Sequence, residues 1–163
     1  MDIAMIGLGK MGAKMVERLL AGGHRVVAFD LDGEARQRAA EAGAQAADSL
    51  EDVAEHLLPP RAVWVMVPSG EPTRQTVVAL LEVLEAGDLI VDGGNSSYRG
   101  TQALAARVAD FGLDFVDVGT SGGVWGLEEG YSLMVGGSPE AVERLRPALE
   151  TLAPAPDRGW GHV

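Results

Sequence analysis

The sequence predicts an α/β fold, a doubly wound and mainly parallel sheet, on three observations. Short β-rich apolar runs alternate along the chain with stretches whose apolar residues recur at helical spacing. One run, Ala62-Val63-Trp64-Val65-Met66-Val67, has no polar residue, the pattern of a strand covered by helices on both faces. The first strand ends on glycines that open directly into a helix. At 163 residues the chain is sized for a single domain, 1–163, and Pro59-Pro60 and Ala153-Pro154-Ala155-Pro156 are its only candidate joints.

Residues 3–6 form the first strand, and Met11, Met15, Val16, Leu19 and Leu20 line one face of the helix that Gly22-Gly23 closes. Residues 25–29 are the second strand, ending at Asp30. Helices are expected at 34–42 and 50–58, a strand at 62–67 and a helix at 74–84. Further strands fall at 89–91, 115–118 and 132–135, with helices at 101–111 and 139–152. In such sheets ligands bind beyond the carboxyl ends of the strands, so chemistry is sought in the residues just after each one.

Thirteen Lys and Arg against 24 Asp and Glu leave a net charge of −11, a field that repels a phosphate backbone and argues against nucleic acid as a partner. With no Cys there is no disulfide framework and no thiolate nucleophile, and the three His have no metal-ligand spacing, so no metal is expected. Met1-Asp2-Ile3 leads straight into an apolar strand without a basic leader, and no run of about 18 apolar residues follows. The expectation is a cytoplasmic protein with no membrane partner.

At the first strand end, Gly7-Leu8-Gly9-Lys10-Met11-Gly12 satisfies G-x-G-x-x-G between a strand and a helix. The first glycine permits the tight turn, the second lets a diphosphate approach the backbone, and the third lets helix and strand pack closely. The anion is then held by amides at the helix start. Asp30, at the tip of the second strand, lies near the roughly 20-residue offset of a ribose-binding acid. A 2′-phosphate there would meet Asp30 and Asp32, so a Rossmann-type site for NAD is expected over one for NADP, with Arg25 and Arg36 as the cations near enough in sequence to oppose that preference.

Two further strand ends carry short polar side chains among glycines: Asp92-Gly93-Gly94-Asn95-Ser96, and Gly119-Thr120-Ser121-Gly122-Gly123. An Asn amide donates and accepts, and a Ser hydroxyl does either, which suits a carboxamide or a sugar hydroxyl. Each of these alone is also what a turn uses, and Ser96 or Ser97 suits a helix cap.

Together these segments resemble the decarboxylating 6-phosphogluconate dehydrogenase family. The resemblance rests on residues 7–12, on Met66-Val67-Pro68, on residues 92–96, and on residues 115–126 followed by Tyr131-Ser132-Leu133-Met134-Val135-Gly136-Gly137. It implies that Leu8, Lys10, Met11 and Leu31 join the three glycines, Asp30 and Asp32 around the cofactor. It implies too that Val67 and Pro68 line the nicotinamide side, that Asn95 contacts cofactor and substrate, and that Ser121, Gly122 and Gly123 receive a phosphorylated sugar acid. The related 3-hydroxyisobutyrate-type dehydrogenases share the Ser-Gly-Gly turn but usually carry a Ser/Thr-rich stretch where this chain has residues 92–96, a difference that argues against them. Val124-Trp125, in place of an acidic pair, and Asp30-Leu31-Asp32, in place of Asn-Arg-Thr, look like the short, often NAD-preferring branch.

The resemblance further implies oxidation of a C3 hydroxyl by NAD(P), loss of carbon dioxide from the β-keto acid, and release of ribulose 5-phosphate, a pentose phosphate pathway step. The family's base is a Lys with a partner acid beyond the position of Val163, ahead of an all-helical domain that shapes the phosphate pocket and the dimer. Lys10 and Lys14 are the only lysines here, and both belong to the first loop and helix. The expectation is therefore a cofactor-binding domain with no catalytic residue of its own, inactive alone, and a homodimer only in the full-length family member. A non-catalytic nucleotide-sensing module and a dehydrogenase for another 3-hydroxy acid are the alternatives. Trp160 and Val163 are apolar residues that either await a partner surface or fold back.

Overall fold

A computed structural model describes residues 1–122 and 125–163. Among them the elements run β1 (Asp2–Ile6), α1 (Lys10–Ala21), β2 (Arg25–Phe29), α2 (Gly33–Ala42), β3 (Gln45–Ala46), α3 (Leu50–Glu55), β4 (Ala62–Val65) and α4 (Glu71–Val83). They continue as β5 (Leu89–Asp92), α5 (Tyr98–Asp110), β6 (Asp114–Ser121), α6 (Gly126–Glu129), β7 (Ser132–Gly136), α7 (Pro139–Leu152) and β8 (Trp160–His162). The strands make one sheet in the order β3-β2-β1-β4-β5-β6-β7-β8, parallel except where β7 runs against β6. The doubly wound α/β fold expected from the sequence is the fold observed.

The sheet is buried on both faces because its strands are apolar on both. Ile3, Met5, Trp64, Val91 and Val118 face α1 and α7 in one core layer. Ala4, Ile6, Val63, Val65 and Ile90 face α3, α4 and α5 in the other. β1 and β4 are neighbours although three helices and two strands separate them in sequence, and the chain reverses its winding between them. That reversal opens a crevice above the carboxyl ends of β1, β2 and β4, where ligands of such sheets bind.

Several boundaries differ from those expected. β4 stops at Val65 and α3 at Glu55, while α4 begins at Glu71, with Pro72 in its first turn. β6 runs on through Gly119 and Thr120 to Ser121, because the antiparallel partner β7 pairs with those residues. Trp160 does not await a partner: β8 pairs with β7, its indole packs on the core, and the Arg146 guanidinium lies 5.0 Å over the ring. Val163 remains exposed. Among the described residues no helix is long and apolar enough to cross a membrane, and no group of three His, Cys, Asp or Glu could hold a metal ion.

Candidate functional site

The loop after β1 shows three glycines with three different needs. Gly7 has φ +99, donates to the Phe29 carbonyl at 2.9 Å, and has the Met66 carbonyl where a side chain would go. Gly12 is backed directly onto the Gly7 carbonyl oxygen, so any Cβ there would force α1 off the strand. Gly9 has nothing within 4 Å of its missing Cβ, and it is the N-cap of α1 with no side chain capping the helix. The amides that open α1, and the positive end of its dipole, are thus turned toward open space above Gly9. Lys10 is exposed, Leu8 is buried, and Met11 packs half-buried on the core.

Asp30 is locked to this loop. One carboxylate oxygen accepts from the Leu8 amide at 2.7 Å and the other from the Asp32 amide at 2.8 Å, leaving lone pairs on both for a further donor. Asp32 has a separate task, capping α2 by accepting from the Glu34 amide at 3.0 Å. Leu31 between them is 91% exposed. Arg36 folds back onto β2, its Nη1 donating to the Asp30 carbonyl at 2.8 Å and its guanidinium 6.0 Å from the Phe29 ring centroid. Arg25 sits at the other end of β2, donating to the His56 carbonyl at 2.8 Å, and is no neighbour of Asp30.

Gly7, Asp30, Leu31, Val67 and Pro68 line one cleft of about 390 Å³, floored by Ile6 and Phe29 and walled by Pro72, Gln75, Thr76 and Ala79 of α4. Val67 and Pro68 thus stand with the ribose-side acid, and the Val67 carbonyl also backs onto Gly94 of the next strand end. The α4 wall was not anticipated. Its spacing puts the four residues on one helix face, but nothing in the sequence says which face looks into the crevice.

A second cleft, about 250 Å³, lies past β5 and beside β6, lined by Asp92, Asn95, Ser96, Thr101, Asp117 and Gly119. Asp92 is buried, with one oxygen accepting from the Gly94 amide at 2.9 Å and the other from the Ser96 hydroxyl at 2.7 Å. That pair curls the segment so that Asn95 takes φ 56, a left-handed conformation Asn tolerates better than most residues. Its Oδ1 accepts from the Thr120 amide at 3.4 Å, bringing Asn95 against the residue that precedes Ser121, 25 residues on in sequence. Ser97 serves as the cap of α5, accepting from the Gly100 amide at 3.2 Å. Ser121 is exposed at the end of β6, and the Tyr131 ring lies against Gly122. Burial pushes the Tyr131 phenol pKa up. Gly123 and Val124 lie outside the described residues. Asp117 and Thr101 were missed from the sequence because the first reads as a strand residue and the second as a helix residue.

The sequence and the fold are similar to those of known proteins. Over its whole length the chain is 43% identical, across 163 residues, to an NAD(+)-dependent decarboxylating 6-phosphogluconate dehydrogenase of Haloferax volcanii, covering 53% of that protein. It is 38% identical over 166 residues to a decarboxylating 6-phosphogluconate dehydrogenase of Haemophilus ducreyi, with 96% of this chain and 34% of that one aligned. The chain thus spans between about a third and about half of the length of these relatives. Among solved structures, the 3-hydroxyisobutyrate dehydrogenase of Mycobacterium tuberculosis, studied with L-serine, superposes with a TM-score of 0.87 at 33% identity over 99% of this chain and 53% of that one. The difference at residues 92–96 therefore does not set this chain apart from the 3-hydroxyisobutyrate type, because an enzyme of that name shares its fold at that identity. Both kinds of relative are named as dehydrogenases, and the Haloferax volcanii protein as an NAD(+)-dependent one. Residues 2–159 match the family described as the NAD binding domain of 6-phosphogluconate dehydrogenase, and it is to that family that the chain belongs.

Proposed function

We propose that this chain is the nucleotide-holding domain of an NAD-preferring dehydrogenase whose substrate is a small acid with a hydroxyl on its β-carbon. The observation that carries this reading is the uncapped start of α1 over an open Gly9, with Asp30 bonded to the same loop. A diphosphate fits the amides, and a ribose hydroxyl fits the remaining lone pairs of Asp30. NAD(P) would supply the hydride acceptor. For NAD over NADP the support is the carboxylate at the ribose position and the inward fold of Arg36, whose guanidinium is turned onto main-chain oxygens rather than outward.

In this reading Asn95, Ser121, Gly122 and Gly123 orient the acid. Neither Lys10 nor Lys14 lines the second cleft, and in this reading the base that removes the hydroxyl proton is the lysine implied by the family resemblance, which neither of them supplies, so that the chain alone does not turn over. Two acids satisfy the chemistry. Similarity to the Haloferax volcanii enzyme favours 6-phosphogluconate, with loss of carbon dioxide after oxidation. A substrate of the 3-hydroxyisobutyrate type, without that second step, is favoured by the superposition on the Mycobacterium tuberculosis enzyme.

Calorimetry of the chain with each nucleotide tests the cofactor. NAD should bind, NADP more weakly, and Asp30→Ala should weaken NAD by about tenfold while narrowing the gap to NADP. An unchanged preference would remove Asp30 from the reading, and absence of any nucleotide binding would remove the reading itself. Assaying a protein extended with the rest of a relative-length chain against both acids then separates the two substrates.

A further inference from the structure

The geometry points to Arg18 as a positioning residue for the turn at Ser121 and Gly122, so that the helix receiving the dinucleotide also sets the turn offered to the acid. This rests on the reading of that turn given above. Arg18 lies on α1, about two turns beyond the loop that opens it. Its guanidinium donates to three carbonyl oxygens: Nε to Thr151 at 2.8 Å, Nη2 to Ala153 at 2.7 Å and Nη1 to Leu127 at 3.0 Å. Thr151 and Ala153 stand at the end of α7, where carbonyls lack helical partners and a cation is favoured.

Leu127 belongs to α6, a helix of four residues with no side-chain cap, too short to persist without outside support. α6 in turn fixes the Ser121–Gly122 segment. The Trp125 amide donates to the Gly122 carbonyl at 3.2 Å. The Tyr131 ring fills the space between Gly122 and Gly126: an added Cβ would stand 2.8 Å from the ring at the first and would collide with it outright at the second. Tyr131 is itself held by its amide, which donates to the Leu152 carbonyl at 2.7 Å. The line of contact therefore runs from Arg18 to α6, from α6 to the Tyr131 ring, and from the ring to Gly122. The rigid cylinder of α1 joins that line to the nucleotide loop.

The test is an amide-shift titration of the isotopically labelled chain with NAD and, separately, with 6-phosphogluconate. In the wild type NAD should move the amides of Gly9 to Gly12, and the acid those of Ser121 and Gly122. In Arg18→Met the acid's affinity at the turn should fall by about tenfold while that of NAD stays within about twofold. Arg18→Lys, able to keep only part of the three-carbonyl contact, should fall between. Gly126→Ala, which drives the Tyr131 ring from its place, should reproduce the selective loss and serves if Arg18→Met does not fold. The proposal is overturned by equal acid affinity in the variants, by equal loss for both ligands, or by a wild type in which the acid moves no amide at the turn. A wild type whose Gly9 to Gly12 amides ignore NAD overturns instead the functional reading on which it rests.

Discussion

Gly9 and Gly12 are the same residue type three positions apart, and the structure gives them opposite tolerances. Gly9 has φ −66 and ψ −171, ordinary for any residue, and open space where a methyl would stand. Gly9→Ala should fold with unchanged or slightly raised stability, by roughly 0.4–1 kcal/mol, because it restricts the unfolded chain. Its methyl would nonetheless occupy the approach of a diphosphate, so NAD affinity should fall by about tenfold or more. Gly12→Ala drives a Cβ into the Gly7 carbonyl and should cost about 1–3 kcal/mol as α1 is displaced, with nucleotide affinity lost along with it. Melting curves and calorimetry on both variants check the contrast, and an intact NAD affinity in Gly9→Ala would show that the anion does not approach there. The glycine roles were legible in the sequence because each follows from backbone geometry close by. The relation of Asp30 to the two arginines was not. Arg25 and Arg36 are nearly equidistant from it in sequence, but a strand rising about 3.3 Å per residue carries Arg25 about 16 Å away, while α2 turns Arg36 back.

At the scale of elements, the long strands and helices were legible because their periodicity is local. β3 has two residues and β8 reads Trp-Gly-His, so both exist only because a neighbouring strand offers partners. The direction of β7 was readable in principle: ten residues separate Ser121 from Ser132, fewer than a parallel crossover needs. The corner between α1 and β2 shows how such an assembly responds to pH. His24 is buried there, with Nδ1 2.9 Å from the Met1 ammonium and Nε2 2.6 Å from the Thr151 hydroxyl, which donates onward to the Pro147 carbonyl at 3.0 Å. An ammonium can only donate, so Nδ1 accepts and the ring is neutral with its proton on Nε2. Burial first, and the ammonium charge second, hold the His24 pKa below its ordinary 6.5. The unfolded chain therefore takes up a proton before the folded one does, and stability is lost as pH falls from about 6.5 toward the lowered value. Above that window the histidine contributes no slope. Denaturant midpoints measured from about pH 7.5 down to about pH 5 should fall more steeply in the wild type than in His24→Gln. Parallel curves would mean that the ring titrates alike in both states.

For the whole molecule, the question is how a chain of net charge −11 takes up a dinucleotide anion. The sheet order answers part of it. The reversal between β1 and β4 puts the starts of α1 and α4 on either side of one crevice, and in the proposed function the groups that meet the anion are backbone amides at the start of α1 rather than side-chain cations. That crevice could be placed from the sequence, because it follows from chain order and handedness. The second cleft, with Asn95 bonded to β6, could not, because it depends on a contact between residues 25 apart in the chain. Amides in place of cations have a measurable consequence. A site built on lysines and arginines loses affinity as salt screens the attraction between exposed charges. Here the local attraction comes from dipoles within a few ångströms of the anion, whereas the opposing field comes from carboxylates spread over the surface. Beyond the Debye length, about 10 Å at 0.1 M, the latter is screened and the former is not. NAD affinity should therefore stay level or rise between about 20 and about 300 mM sodium chloride, as read by calorimetry at constant pH. A fall of about tenfold over that range would show instead that Lys10 or Arg36 swings out to grip the phosphates, and that the charge of those side chains, rather than the start of α1, holds the nucleotide.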